Sequence, residues 1–340
     1  MLSTEKKPVV VIQNLKKHFA VRKGIFKTEV KLVKAVDDVS ITLYEGETLG
    51  LVGESGCGKT TLGRCLMRAL APSSGSIMFH QDNHAPVDLA GLSKRALHPY
   101  RRQLRMICQD PYSSLNPRMT VLDIIGEPMR ILEHASAKDI ERRTADLLRK
   151  VGLRPEFMRR YPHAFSGGQR QRIGIAHAIA VNPKVVVADE SVSALDVSVR
   201  AQIVELFQAL KQELGLTYLF ISHDLSVVEY IADRVAVMYV GKMVELAETE
   251  ELYRRPRHPY TEALMSAVPR ADPRNRSNRI LLSGDVPNPA NPPSGCYFHP
   301  RCRYAQPICG QQAPELVDLG NEHFVACHFA RELELRGVAL

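Results

Sequence analysis

Gly53-Glu54-Ser55-Gly56-Cys57-Gly58-Lys59-Thr60, continued by Thr61, is a stretch whose residue types and spacing can do chemistry. It fits G-x-x-x-x-G-K-[ST] and stands after an apolar run, LGLVG, and before a helical pattern from Lys59 to Leu70, which is the setting that pattern requires. Glycines at 53, 56 and 58 let the backbone wrap a polyphosphate with its N–H groups inward, and the following helix adds positive potential. Lys59 then reaches the β- and γ-phosphates, and the Thr60 hydroxyl is a ligand for Mg²⁺. In this context a plain glycine-rich turn capping a helix is the weaker reading, and Cys57 matters for its small size rather than as a catalytic thiol.

Such a site needs acid at the end of a second apolar strand. Val185-Val-Val-Ala-Asp189-Glu190 supplies it, with Asp189 for the Mg²⁺ shell and Glu190 to orient or deprotonate an attacking water. A strand ending in a carboxylate says little alone, because many strands stop at a solvated acid. Paired with the glycine loop it points to phosphoryl transfer.

The elements that must hold these groups are readable from hydrophobic pattern. Residues 9–13 (VVVIQ) and 39–44 (VSITLY) are rich in β-branched side chains and predict an N-terminal antiparallel sheet. LGLVG, the glycine turn and the helix after it begin a parallel α/β architecture. Between about 94 and 165 Arg, Glu, Leu and Ala recur at helical spacing with few strand runs, which predicts an inserted helical subdomain. Apolar strands return at 185–188 and 218–222 around a helix at 199–214. Residues 284–296 (GDVPNPANPPSGC) hold four prolines, so they form an extended segment, and a boundary near 280 separates a body, 1–280, from a tail, 281–340.

At 340 residues the chain buries enough surface to need no disulfide framework. Its 45 Lys and Arg against 37 Asp and Glu leave a net charge of +8, spread along the chain, which permits phosphates, nucleic acid or an anionic membrane face and names none of them. No secretory apolar region opens the chain, and no run of about 18 apolar residues is present to span a bilayer. The expectation is a cytosolic protein that touches a membrane only peripherally.

Phe165-Ser166-Gly167-Gly168-Gln169-Arg-Gln-Arg172 precedes the acidic strand, and Ser193-Ala-Leu-Asp196 and Ile221-Ser-His223-Asp224 follow it. Generic P-loop enzymes carry none of these. With Gln109, in MICQDPYSSLNPRMTV, they resemble the ATP-binding subunits of ABC transporters over nearly the whole chain. The resemblance implies an α/β ABC-type P-loop ATPase with an N-terminal antiparallel β-subdomain, an inserted α-helical subdomain and a C-terminal cysteine-rich extension. It implies that Phe19 stacks on adenine, that Ser166, Gly167, Gly168 and Gln169 contact the γ-phosphate bound on a partner subunit, and that Asp196 lies at the dimer seam. Gln109 would link metal and water to the helical subdomain, and His223 would contact the γ-phosphate. Read from the residues alone, Ser followed by two glycines at a helix start is also an anion site, whereas His223 alone would be a buried, satisfied histidine. Two positions depart from the pattern: Ser191 stands where Pro is usual, which puts turnover rate in question, and His177 stands where Arg is usual.

PYSSLNPR, RYPHAFSGGQRQRIGIA, VSALDVSVRAQ and RHPYTEALMSAVPR, followed by NPPSGC, look like the dipeptide and oligopeptide importer branch, and most like its F-type ATP-binding subunits. That likeness implies ATP and Mg²⁺, a second non-identical ATP-binding subunit, two membrane permease subunits, a periplasmic solute-binding protein, and a place at the cytoplasmic face of a bacterial inner membrane. Related systems move nickel or other solutes, so a different cargo stays open. The rival from another class is a non-transport ABC ATPase acting on nucleic acid. The basic balance suits it, but the chain has one cassette, no long heptad arm and no aromatic-basic interleaving.

Cys296, Cys302, Cys309 and Cys327 stand at C-x5-C-x6-C-x17-C. Four thiols in a reducing compartment favour metal over disulfides, although the C-x2-C knuckles usual for zinc are missing. Four thiolates can hold a [4Fe–4S] cluster, and the resemblance to peptide importers points the same way; zinc and unliganded cysteines remain the alternatives. His299, His323 and His328 are near enough in sequence to substitute. Cys65 and Cys108 are expected in the core.

Overall fold

The computed structural model describes residues 6–23, 29–82, 84–109, 114–268 and 279–338. Residues 110–113 of the PYSSLNPR segment and its leading Asp, and 269–270 of RHPYTEALMSAVPR, lie outside the described residues. The chain divides into two compact units, one of residues 1–9, 43–47 and 91–221, the other of residues 10–42, 48–90 and 222–340.

The second unit carries the glycine loop. Most of β1 (Pro8–Lys23) and β2 (Glu29–Tyr44) lies here with β4 (Ser74–Phe79) and β5 (Val87–Asp88), in the order β2-β1-β4-β5. β1 pairs β4 antiparallel. Both long strands run well beyond the expected 9–13 and 39–44, because their outer halves carry lysines and other polar groups on half-buried or exposed faces that dilute the apolar pattern. A further run, β3 (Thr48–Val52), β9 (Arg234–Tyr239), β10 (Lys242–Glu248), β12 (Phe324–Val325) and β11 (Val317–Asp318), lies in that spatial order. β3 and β9 are parallel and fully buried, which is why both are rich in apolar residues. Helices α1 (Lys59–Leu66), α6 (Leu225–Ile231), α7 (Thr249–Arg254), α8 (Pro259–Ser266) and α9 (Pro307–Gln311) complete the unit.

The tail is stitched to this unit by contacts to two buried carboxylates. Residues 284–296 form neither helix nor strand, as the prolines require. Beyond them β12 pairs β10, with Val325 opposite Glu245. Glu245, fully buried, accepts the N–H groups of Arg257 and His258 and lies 2.7 Å from His323 Nε2. Glu262, also buried, accepts from Arg303, from the Tyr304 hydroxyl and from the Arg336 N–H.

The other unit holds β6 (Leu104–Ile107), β7 (Val185–Asp189) and β8 (Thr217–Ile221), parallel and in that order. Its helices are α2 (Val121–Glu133), α3 (Ala137–Lys150), α4 (Gly167–Ile179) and α5 (Val197–Leu214). Thr120, Ser136, Ser166 and Asp196 cap them, each accepting the N–H three residues on, a contact worth about 1 kcal/mol. The expected helical stretch 94–165 contains α2 and α3, and also the strand β6, whose Arg105 interrupts the apolar run. Cys65 is buried in α1, but Cys108, one residue past β6, is exposed and is not a core residue.

Candidate active site

The glycine loop connects β3 to α1 with two positions that only glycine fills. Gly53 and Gly58 have φ of 145° and 107°, and a Cβ there would lie 2.2 Å from the Met238 oxygen and 2.0 Å from the Ala35 oxygen, respectively. Gly58 is the N-cap of α1 and no side chain caps that end, leaving an N-terminus of the kind that binds phosphate. The Lys59 side chain is buried and curls back along the loop, its Nζ donating to the Gly53 oxygen at 2.7 Å and the Glu54 oxygen at 3.1 Å. Ser55 and Gly56 form the exposed tip, and Thr60 and Thr61 are partly buried on the first turn of α1. Cys57 lies beneath the loop, where burial pushes its thiol up in spite of Lys59.

In the same unit Phe19 is partly buried on β1, with the Lys17 ammonium 4.9 Å from its ring centre. The adjacent His18 contacts Asp37, which also accepts from the Tyr297 hydroxyl and faces Lys242 and Lys34. Burial raises the Asp37 carboxyl, but the pull of Lys242, His18 and Lys34 outweighs it and holds the group below the usual range. His223 is exposed, unlike the buried, satisfied histidine of the alternative reading, and Asp224 beside it caps α6.

The other unit brings Gln109 and Glu190 together. Asp189 ends β7 and is buried, and Glu190 follows with φ 45°, a left-handed conformation that costs a non-glycine residue about 1–3 kcal/mol. Its N–H donates to the Ile221 oxygen, its own oxygen accepts from the Ser193 N–H and hydroxyl, and its Oε2 accepts from Gln109 Nε2 at 2.7 Å. Ser191 is buried with its hydroxyl unpartnered among the described residues, so the turn after Glu190 relies on Ser193 rather than on a proline. At the start of α4, Ser166 and Gln169 form a reciprocal capping box, and a Cβ at Gly168 would meet Val199 at 2.4 Å. Ser166 is exposed and Gly167, Gly168 and Gln169 are partly exposed. The Asp196 carboxylate is held below its usual range by the Val199 N–H and the Ser198 hydroxyl.

His177 lies partly buried on α4, 3.4 Å from an Arg105 nitrogen, and burial together with that guanidinium pushes its pKa down to about 4. The unfolded chain therefore takes up a proton that the folded chain refuses. Stability should be level above about pH 6.5 and fall as pH drops from there toward 4, with His177 contributing on the order of 1 kcal/mol per pH unit. His258, pushed down to about 3 by burial, acts with the same sign. Urea unfolding at pH 7 and pH 5 should show a smaller loss in His177→Gln than in the parent; equal losses would remove His177 from the account.

The reading of Cys296, Cys302, Cys309 and Cys327 as ligands of a [4Fe–4S] cluster, or of zinc, is corrected by the structure. Among the described residues no group of three or more His, Cys, Asp or Glu side chains is placed to hold a metal ion. The four thiols instead line, with Phe298, Pro314 and Phe329, a small and largely apolar cavity. Burial pushes the Cys302 thiol up to about 11 and the Cys327 thiol up to about 12. The candidate substitutes are engaged elsewhere: His299 with the Cys296 oxygen, His328 with the Gln312 oxygen, His323 with Glu245. None of the four is in a disulfide.

Two functional-looking side chains escaped the sequence reading. Tyr260, whose hydroxyl accepts the Glu54 N–H at 2.7 Å, was visible only as part of a longer segment, and Arg301 carries no local signal at all.

Comparison with known proteins fits this geometry. Residues 36–193 match the ABC transporter family, and residues 244–309 match the oligopeptide/dipeptide transporter C-terminal region. The oligopeptide transport ATP-binding protein AppF of Bacillus subtilis is 50% identical over 331 residues, covering 96% of this chain and 99% of that protein. A probable peptide ABC transporter ATP-binding protein, y4tS of Sinorhizobium fredii, is 52% identical over 93% of this chain and 88% of its own length. Among solved structures, the ATP-binding cassette MJ0796, dimeric and bound to ADP and Pi, superposes with a TM-score of 0.61 at 26% identity over 71% of this chain and 98% of that one. The phosphate loop, the acid-ended strand and the capped signature helix thus sit in a chain that belongs to the ATP-hydrolysing, ATP-binding subunits of ABC transporters, in their oligopeptide/dipeptide branch.

Proposed function

We propose that this subunit hydrolyses ATP to drive uptake of dipeptides or oligopeptides across a bacterial inner membrane, working at its cytoplasmic face. The observation that carries the hydrolytic part is Glu190, held in a strained left-handed turn with its carboxylate on Gln109. The peptide cargo is supported by the C-terminal match and by the names of the relatives. No helix among the described residues is long and apolar enough to cross a membrane, so the channel is assigned to other chains. The partners in this reading are a second, non-identical ATP-binding subunit, two membrane permease subunits and a periplasmic solute-binding protein. The division into a nucleotide-binding part, 1–280 with its helical portion at 94–165, and an extension, 281–340, belongs to the same proposal.

Each residue has a task in this scheme. Phe19 stacks on adenine; the loop from Gly53 through Gly58 and the first turn of α1, with Lys59, Thr60 and Thr61, take the phosphates. Thr60 and the buried Asp189 are hard oxygen donors of the type Mg²⁺ accepts, and the ion neutralises charge on the phosphates when bound. Glu190 orients the water and takes its proton, Gln109 holds Glu190, and His223 steadies the γ-phosphate. Ser166, Gly167, Gly168 and Gln169, presented at the surface, face the γ-phosphate on the partner subunit.

Because the signature segment of one chain serves the nucleotide of another, the isolated subunit should be a poor ATPase. Adding the second ATP-binding subunit and the permease subunits should raise turnover by about 10²–10⁴, the range that positioned groups contribute. DNA should not replace them. Strong stimulation by DNA without any membrane protein would favour the nucleic-acid reading.

A further inference from the structure

An acid inside a loop that holds a polyanion is an electrostatic liability, and Glu54 is such an acid. Its carboxylate is gripped by Arg301, from the C-terminal extension, through a two-pronged contact of 2.7 Å to Oε2 and 3.1 Å to Oε1. The Arg301 side chain is 7% exposed and that of Glu54 26%, so the pair is partly shielded from water and salt. The same guanidinium reaches the Tyr239 hydroxyl at 3.3 Å and lies 5.9 Å from that ring's centre. Tyr239 packs on Tyr260 and on Phe298, three residues before Arg301. Glu54 is pinned at its backbone as well, since its N–H donates to the Tyr260 hydroxyl. Its oxygen is one of the two that receive Lys59.

We propose that Arg301 is a positioning residue for nucleotide binding: it cancels the charge of Glu54 and pre-forms the phosphate loop, so that the C-terminal extension sets the affinity for ATP. This rests on the assignment of the loop to phosphate binding. Two physical effects act together. The Arg–Glu fork removes repulsion between a carboxylate and the incoming phosphates, and it orders the loop before the nucleotide arrives, so less entropy is lost on binding. Burial works against the guanidinium's charge, but the contact with Glu54 outweighs it, so Arg301 remains a cation throughout the working range.

The test is equilibrium binding of ATP with Mg²⁺ to the full-length chain, alongside ATP turnover in the assembled transporter. Arg301→Met should weaken binding about tenfold and raise KM by a similar factor while kcat stays within about twofold. Glu54→Gln added to Arg301→Met should restore most of the lost affinity, because the unpaired carboxylate is then gone; a role confined to holding the tail in place predicts no such rescue. If Arg301→Met does not fold, Arg301→Lys, which keeps the cation but not the fork, is read instead, with about threefold weaker binding expected. Unchanged affinity in the folded variant, or loss without rescue by Glu54→Gln, overturns the proposal. Lys59→Ala separates the two levels: if it loses ATP while Arg301→Met does not, only the role of Arg301 fails, and if it binds ATP normally, the phosphate-loop assignment fails and the proposal with it.

Discussion

Glu190→Gln should leave ATP binding within about twofold of the parent and cut turnover by about 10²–10⁴, the contribution of a well-placed general base. The substitution is isosteric, and the amide can turn its oxygen toward Gln109 Nε2, so the 2.7 Å contact is retained in kind. Neither the φ of 45° nor the bond from the Ser193 hydroxyl to the Glu190 oxygen depends on the side-chain charge. What disappears is the lone pair basic enough to take a proton from water. An ATP-bound closed dimer should therefore accumulate, visible as an ATP-dependent rise in mass by light scattering. Near-normal hydrolysis by the Gln variant would remove Glu190 from the role given to it.

Lys59→Ala acts at an earlier step. The side chain straps the loop through the Gly53 and Glu54 oxygens and brings a cation to the phosphates, so its removal loses both charge and loop geometry. Charge-assisted hydrogen bonds contribute about 1.5–3 kcal/mol each, which places the loss of ATP affinity at about 10–10²-fold or more. Hydrolysis should fall in parallel with binding, in contrast to Glu190→Gln, where the two separate. Calorimetric titration with ATP and Mg²⁺ decides it, and an affinity equal to the parent's would exclude Lys59 as a phosphate ligand.

Much of the site was legible because its signals are local. Gly53, Gly58 and Lys59 announce a phosphate loop by residue type at short spacing, and the structure places them between β3 and α1. Ser166 and Asp196, read as helix-start residues or seam residues from motifs alone, are side-chain caps of α4 and α5, contacts that span three residues. The buried strands β7 and β8 were visible for the same reason: a strand covered on both faces needs an unbroken apolar run.

The cysteines show where spacing stops being informative. Four thiols near one another in sequence are compatible with a metal site, and only their surroundings decide whether they are thiolates. Here the small apolar cavity that the four line raises Cys302 and Cys327, and no group of three or more candidate ligands among the described residues is placed to hold a metal ion. β6 was hidden for a related reason, since Arg105 broke a pattern that burial of its neighbours nonetheless satisfied.

By itself, then, the sequence determined the residue types and spacing of the glycine loop, the acid-ended strand, the Ser166 cap and the ABC resemblance, all of which depend on residues a few positions apart. Only the tertiary structure decided that Glu245 meets His323, that Glu262 meets Arg303, and that Arg301 meets Glu54 across 247 positions. A charged pair so far apart leaves no periodicity to read, because each partner's own neighbours look like ordinary surface, and it is burial on folding that turns the pair into a requirement.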